Sequence, residues 1–162
     1  MSIRVATSGD AAAIAAVWNP MIRETVVTFN SIEKTPQDIA VMIAQRQRAG
    51  HGFWVAEKAG QVAGFATYSQ FRAGVGYAHA MEHTIILAPW AQGAGLGHGL
   101  MRTLEAHAKA QGAHTMIAGV CGENRSAQAF HAALGYECTA VIPAVGRKFN
   151  RWMDLHILQK FL

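Results

Sequence analysis

Residues 92–99 read Gln-Gly-Ala-Gly-Leu-Gly-His-Gly, which puts glycine at 93, 95, 97 and 99. Four glycines at alternate positions are too costly for an ordinary helix interior, at about 1 kcal/mol each relative to alanine. Their use is close approach. A chain without Cβ can turn consecutive N–H groups toward one anion, and the first turn of a following helix adds roughly half a positive charge. A pyrophosphate suits such a turn. Two better-known phosphate motifs are excluded by spacing. Gly-x-Gly-x-x-Gly would need its third glycine at His98, Leu100 or Arg102, and Gly-Lys-Ser/Thr occurs nowhere in the chain.

Such a turn has to be held between a strand and a helix, and both are legible around it. Residues 82–87 predict the strand, and 97–111 predict a helix with Leu100, Leu104 and Ala108 on one side. Before them, 3–6 reads as a short strand, after which Ser8 or Asp10 caps a helix carrying Ile14, Val17, Trp18, Met21 and Ile22 at helical spacing, with Pro20 inside it as a bend. Thr35-Pro36-Gln37-Asp38 starts a second helix, with Ile39, Met42 and Ile43 buried and Gly50 ending it. Residues 53–57 and 62–68 form a hairpin around Ala59-Gly60. A buried strand at 115–120, a helix at 126–134 and an antiparallel pair at 137–145 and 152–158 complete the chain. The order β-α-α-β-β-β-α-β-α-β-β around one sheet is an α/β (α+β) arrangement, and without repeats, linkers or low-complexity segments it predicts one domain over 1–162.

With 162 residues and 51% hydrophobic composition, the chain can bury a core without staples. Apolar stretches such as 84–87 and 116–120 are far shorter than the ~20 residues of a bilayer-spanning helix. The first residues carry Arg4 and enter a strand, with no leader-like apolar run. The expectation is a cytoplasmic protein that does not engage a membrane. Cys121 and Cys138 are too far apart for a Cys-x-x-Cys motif and read as reduced thiols. A net charge of +4, from 14 Lys+Arg against 10 Asp+Glu, suits an anionic partner. The basic residues are scattered, so a polyphosphate fits as well as nucleic acid. Arg147, Lys148 and Arg151 form the one local cluster and read as a solvated loop.

The stretch Gln92-Gly93-Ala94-Gly95-Leu96-Gly97 resembles the Q/R-x-x-G-x-G/A acetyl-CoA signature of the GNAT family of N-acetyltransferases. One strand later comes Asn124-Arg-Ser-Ala127-Gln-Ala-Phe-His131-Ala-Ala-Leu134-Gly135-Tyr136, similar to the family's second element. Glu82-His83-Thr84, Phe71-Arg72 and the ending Val145-Gly146-Arg147-Lys148-Phe149-x-Arg151-Trp152-x-Asp154 look most like the branch that acetylates phosphinothricin and methionine sulfoximine or methionine sulfone. The resemblance runs over nearly the whole chain. It implies the GNAT fold, a mixed and mostly antiparallel sheet flanked by helices, with acetyl-CoA as co-substrate, no metal, a small-molecule amine as partner, no nucleic acid, and a homodimer. By position, Ile85, Ile86 and Leu87 would offer backbone groups to the acetyl and pantetheine portion. Gln92, Gly93, Ala94, Gly95, Leu96, Gly97 and His98 would hold the pyrophosphate, and Asn124 the pantetheine arm. Ala94 stands where relatives often have a basic or hydroxyl residue. Arg72, Ala73 and Gly74, with Glu82, His83 and Thr84, would line the acceptor pocket, and Phe29 and Phe71 would wall it.

The chemistry this implies is direct transfer. An amine attacks a thioester only as the free base, and values of ~10.4 for a lysine amine or ~8 for an α-amine leave it mostly protonated at neutral pH. Glu82 is the candidate base, directly or through a water, with a surface strand carboxylate as the bland alternative. A backbone N–H at Leu87 would hold the oxyanion. His131, where many relatives have tyrosine, would protonate the departing thiolate, or else is a packed or solvated helix histidine. Arg72 can grip an amino-acid carboxylate with its planar fork, unless it is an ordinary surface arginine. Cys121 has no assignable histidine partner and reads as structural.

Three rivals stand beside this reading. A protein lysine or N-terminal acetyltransferase would share the donor half, but a peptide backbone has no free carboxylate for Arg72. A non-catalytic acyl-CoA sensor would keep the turn without needing Glu82 and His131. A zinc protein suggested by eight histidines is the weakest of the three, since the one His-x-x-x-His, His79 to His83 around Glu82, runs into the strand predicted at 82–87 and not along a helix.

Overall fold

A computed structural model describes residues 1–162. Seven strands form one sheet in the order β1-β2-β3-β4-β5-β7-β6, with β1 Ser2–Val5, β2 Phe53–Lys58, β3 Gln61–Gln70, β4 Ala80–Leu87, β5 Thr115–Cys121, β6 Glu137–Lys148 and β7 Arg151–Phe161. Four helices flank it, α1 Ala11–Glu24, α2 Pro36–Arg48, α3 Leu96–Ala110 and α4 Arg125–Ala133. Every neighbouring pair is antiparallel except β4 and β5. This is the mixed, mostly antiparallel sheet flanked by helices that the resemblance implies.

β2 and β3 are buried on both faces, which requires helices on both sides. Trp18 of α1 meets Phe65 on one face with ring centroids 4.7 Å apart. On the other, His107 of α3 meets Trp54 at 5.1 Å and accepts or donates a 2.8 Å hydrogen bond with the Tyr68 hydroxyl. α1 continues through Pro20 because Ile14, Val17, Trp18, Met21 and Ile22 all bury on one stripe. A 3-10 turn, Ser8–Asp10, precedes it, and the Asp10 carboxylate accepts from the Thr7 amide at 2.8 Å and pairs with Arg4 at 2.8 Å. α2 begins as predicted: Thr35 accepts from the Asp38 amide at 3.1 Å while Asp38 accepts from the Thr35 amide at 2.8 Å. No helix is long and apolar enough to cross a membrane.

The last hairpin differs from its expected bounds, for a reason visible in its backbone. Pairing of β6 with β7 slips between Ile142 and Gly146, where Ala144 takes φ 49° and its N–H donates to Asp154 Oδ1 at 2.9 Å. The bulge interrupts the alternation at 145, but the strand resumes and runs to Lys148. Phe149 and Asn150, with φ 53° and 60°, make the two-residue turn. The basic cluster is therefore no solvated loop. Arg147 stacks over Trp152 at 4.8 Å, Arg151 pairs with Glu123 at 2.8 Å, and Lys148 is buried.

Candidate active site

β4 and β5 pair only from Ala80, Met81 and Glu82 to Thr115, Met116 and Ile117, then part. Beyond Glu82 the two strands line opposite walls of a cleft of about 840 Å³. The Ala88 amide donates to Ala63 O at 2.8 Å and the register with β3 has no slip, so alternation turns the backbone of Ile85 and Leu87 toward the gap. Ile86 departs from expectation: its backbone faces β3, and it gives the cleft a buried side chain instead.

The glycine turn closes one end. Gly93 and Gly95 both sit at φ 76°, the left-handed backbone that explains glycine at those positions. The amides from residue 93 to residue 98 donate to no carbonyl or side chain of the protein, and the first to find an intrahelical acceptor is Gly99, bonded to Gly95 O at 3.0 Å. Six consecutive unpaired donors at a helix N-terminus fit a diphosphate. Gly97 and Gly99 correct the assumption that all four glycines shape the turn, since both lie within α3. A Cβ on Gly97 would come within 3.1 Å of Leu87 and Phe130, and one on Gly99 within 2.6 Å of Ile3, so these two let α3 pack close. Gln92, Leu96 and His98 line the cleft and Ala94 does not. Asn124 lines it too, but its Oδ1 is committed to capping α4, accepting from the Ala127 amide at 3.1 Å. Only its amide N–H groups remain for a ligand.

Toward the other end, Glu82 has no hydrogen-bonded or ion-paired partner. Its Oε1 lies 3.3 Å from where a Cβ on Gly119 of β5 would stand, so that glycine makes room for the carboxylate across the gap. Partial burial raises its pKa above the ordinary glutamate value. A half-buried carboxylate with free lone pairs beside an open cleft is equipped to take a proton.

His83 and His131 form a stacked, buried pair with Nε2 atoms 3.1 Å apart. Ala127 O lies 2.7 Å from His131 Nδ1 and can only accept, so that nitrogen carries a proton. Burial lowers both pKa values, that of His83 to about 3, so both rings are neutral near pH 7. Neutrality then fixes the rest: His131 Nε2 accepts from His83 Nε2–H, and His83 Nδ1 keeps a lone pair, buried and unpartnered. Wired this way, His131 lines the cleft without offering it a proton.

Thr84 and Phe29 also line the cleft, whereas Phe71, Arg72, Ala73 and Gly74 do not. Arg72 is exposed on the loop after β3 and stacks over Tyr77 at 5.9 Å. Sequence reasoning missed Trp18, Met21, Val26, Val27 and Leu155, which give the cleft apolar walls. Nothing in their local pattern separates them from core or loop residues, and only Gly119, a glycine inside a strand, was a usable signal.

An acetyltransferase (GNAT) family profile matches residues 18–136. The chain is 36% identical over 159 residues to the L-amino acid N-acyltransferase MnaT of Escherichia coli (strain K12), covering 98% of this chain and 92% of that one. It is 34% identical over 159 residues, 98% and 93% of the two chains, to the L-methionine sulfoximine/L-methionine sulfone acetyltransferase of Salmonella typhimurium (strain LT2). Its structure superposes with TM-score 0.94 and 30% identity on a Sinorhizobium meliloti phosphinothricin acetyltransferase in complex with acetyl-CoA, over 99% of this chain and 88% of that one. A split sheet, a turn of free amides at one end of the split and a lone carboxylate at the other thus coincide with full-length similarity, and the chain belongs to the GNAT acetyltransferase family as an acetyl-CoA-dependent N-acetyltransferase.

Proposed function

We propose that the protein transfers the acetyl group of acetyl-CoA to the primary amine of a small amino-acid-like substrate, of the methionine sulfone, methionine sulfoximine or phosphinothricin type. The observation that carries this is the cleft between β4 and β5, which joins free amides at one end to an unpaired, half-buried Glu82 at the other. The turn at residues 93–98 holds the pyrophosphate, with the N–H groups of Asn124 toward the pantetheine arm and the open edge of β4 at Ile85 and Leu87 beside the thioester. Glu82 accepts the ammonium proton, directly or through a water, which frees the nitrogen lone pair for attack. The Leu87 N–H, turned into the gap, stabilises the oxyanion. As the C–N bond forms and the C–S bond breaks, the second amine proton balances the thiolate that departs. His83 and His131 then serve as a neutral wall and not as the proton source.

Apolar walls from Trp18, Met21, Val26, Val27, Phe29 and Leu155 suit a thioether-like or methylated side chain. Recognition of the substrate carboxylate falls to Arg72, the free cation nearest in sequence to β4, carried on an exposed loop. Exposed apolar side chains on the outer strand pair, Val141, Ile142, Val145 and Trp152, support a homodimer. Thiol release from acetyl-CoA, measured across methionine sulfone, methionine sulfoximine, phosphinothricin, ordinary amino acids, polyamines and peptides, tests the acceptor. Release with peptides alone would replace this reading by a protein acetyltransferase, and no release with any amine would leave an acyl-CoA sensor.

A further inference from the structure

Between α1 and α2 the chain has no regular structure, yet the five residues from Val26 to Asn30 line the same cleft as Glu82. Its local ties are short-range: the amides of Val27, Asn30 and Ile32 donate to Thr25 Oγ1, Thr28 Oγ1 and Asn30 Oδ1. Thr25 Oγ1 donates to Met21 O at 2.6 Å, Asn19 brackets Lys34 at 2.8 and 2.9 Å, and Arg23 pairs with Glu33 at 2.8 Å. Its backbone makes no backbone–backbone hydrogen bond with the rest of the fold until Thr35.

One side chain from elsewhere reaches it. Lys148, near the end of β6 and 5% exposed, donates from Nζ to Ile22 O at 2.6 Å, Thr25 O at 2.7 Å and Thr28 O at 2.8 Å. Three N–H groups meet three carbonyls, so the donor capacity of the ammonium is used up. Ile22 belongs to the last turn of α1, whose unpaired carbonyls carry partial negative charge, so the cation is also placed where the helix favours it. Two residues earlier on the same face, Gly146 seats Phe29: a Cβ there would fall 2.3 Å from the ring. The bulge held by Asp154 at Ala144 sets the register that turns Gly146 and Lys148 inward together.

We propose that Lys148 is a positioning residue for the acceptor: by gathering the carbonyls of Ile22, Thr25 and Thr28 on one ammonium, it sets where Phe29 and its neighbours stand relative to Glu82, and so which amine the cleft takes. This rests on the reading that the acceptor occupies the Glu82 end. The residue acts through the loop and does not touch the reacting atoms. Its charge is already matched by three carbonyls, which removes it as a partner for a substrate carboxylate. A planar guanidinium cannot converge on three carbonyls as a compact ammonium does, so arginine is no substitute.

Lys148→Met, Lys148→Arg and Gly146→Ala test this. Each is compared with the wild type in acceptor KM, acetyl-CoA KM and kcat over the amine panel, with coenzyme A calorimetry as the check on folding. The expected result is an acceptor KM raised about 10- to 100-fold with acetyl-CoA KM held within about twofold, and a changed ranking of amines. Should Lys148→Met fail to fold, Gly146→Ala decides, because it displaces Phe29 while leaving the buried charge in place. Unchanged acceptor KM in variants that bind coenzyme A, or a parallel rise of both KM values, overturns the assignment. A wild type that acetylates no amine strikes the transfer reading instead, so the two failures are told apart.

Discussion

At one end of the cleft six consecutive amides between residues 93 and 98 are left without an acceptor, and every one comes from a single turn of main chain. At the other end, Glu82 on β4 and Gly119 and Leu155 on neighbouring strands come from three separate stretches, and the same cleft takes Phe29 from a loop tied down by a lysine 120 residues away in sequence. A surface made of backbone is indifferent to most side-chain changes and vulnerable to any that forbids its φ values. One made of converging side chains can be retuned residue by residue while its framework stays. On the proposed function the two ends divide the work, a common donor being read by main chain and a particular acceptor by side chains.

The sharpest break in this comparison is Glu82→Gln. Removing the base should cut kcat by roughly 10²- to 10⁴-fold while coenzyme A binds with unchanged affinity by calorimetry. The wild-type rate should also fall on acidification. A base works only when deprotonated, and because burial raises the Glu82 pKa, activity is lost as pH drops through a value above that of an exposed glutamate. The variant should lose that acidic limb altogether. Gly95→Val probes the opposite end. Forcing a β-branched residue to φ 76° costs about 1–2 kcal/mol, which predicts an acetyl-CoA KM raised about 5- to 30-fold with the acceptor KM steady.

Legibility in the sequence follows the same division. The donor turn is contiguous, so its glycines, the strand before it and the helix after it could be read together from local pattern. So could the capping box at Thr35 and the hairpin at Ala59-Gly60, where φ is 52° and 75°. The parting of β4 from β5 could not, because it depends on where Ala80 meets Thr115 across the sheet. Neither could the twofold use of the glycines, since Gly97 and Gly99 answer to Leu87, Phe130 and Ile3. Lys148 was hidden among charges that looked alike. The signal was there in the period of two: Gly146 and Lys148 share one face and Arg147 the other, once the strand is carried past the bulge to the turn at Phe149-Asn150. His131 was rightly placed on α4 beside the cleft, but its proton inventory depends on His83 and Ala127 and could not be counted from spacing.

That inventory makes His131→Gln a smaller perturbation than the base. With the imidazole neutral and its Nε2 lone pair already accepting from His83, the change should lower kcat less than about tenfold, against the 10²- to 10⁴-fold expected for loss of a general acid. Single-turnover acetyl transfer at pH 7 separates the two outcomes. A loss of several hundredfold would mean that the ring rearranges and gains a proton once both substrates are bound.

The smallest effect should come from Arg72→Ala, and its size sharpens the contrast between the two ends. An exposed ion pair is worth about 0.2–1 kcal/mol, so a guanidinium standing in solvent can raise the acceptor KM by no more than about fivefold when removed. That rise should appear with methionine sulfone and vanish with its carboxamide, which has no charge to meet. The comparison of acid with amide is the readout, because a general loosening of the loop would weaken both alike. A loss near a hundredfold for the acid alone would require the guanidinium and carboxylate to meet away from water. The loop carrying Arg72 would then close over the cleft when the acceptor binds, and side chains would govern the acceptor end even more completely than its open form displays.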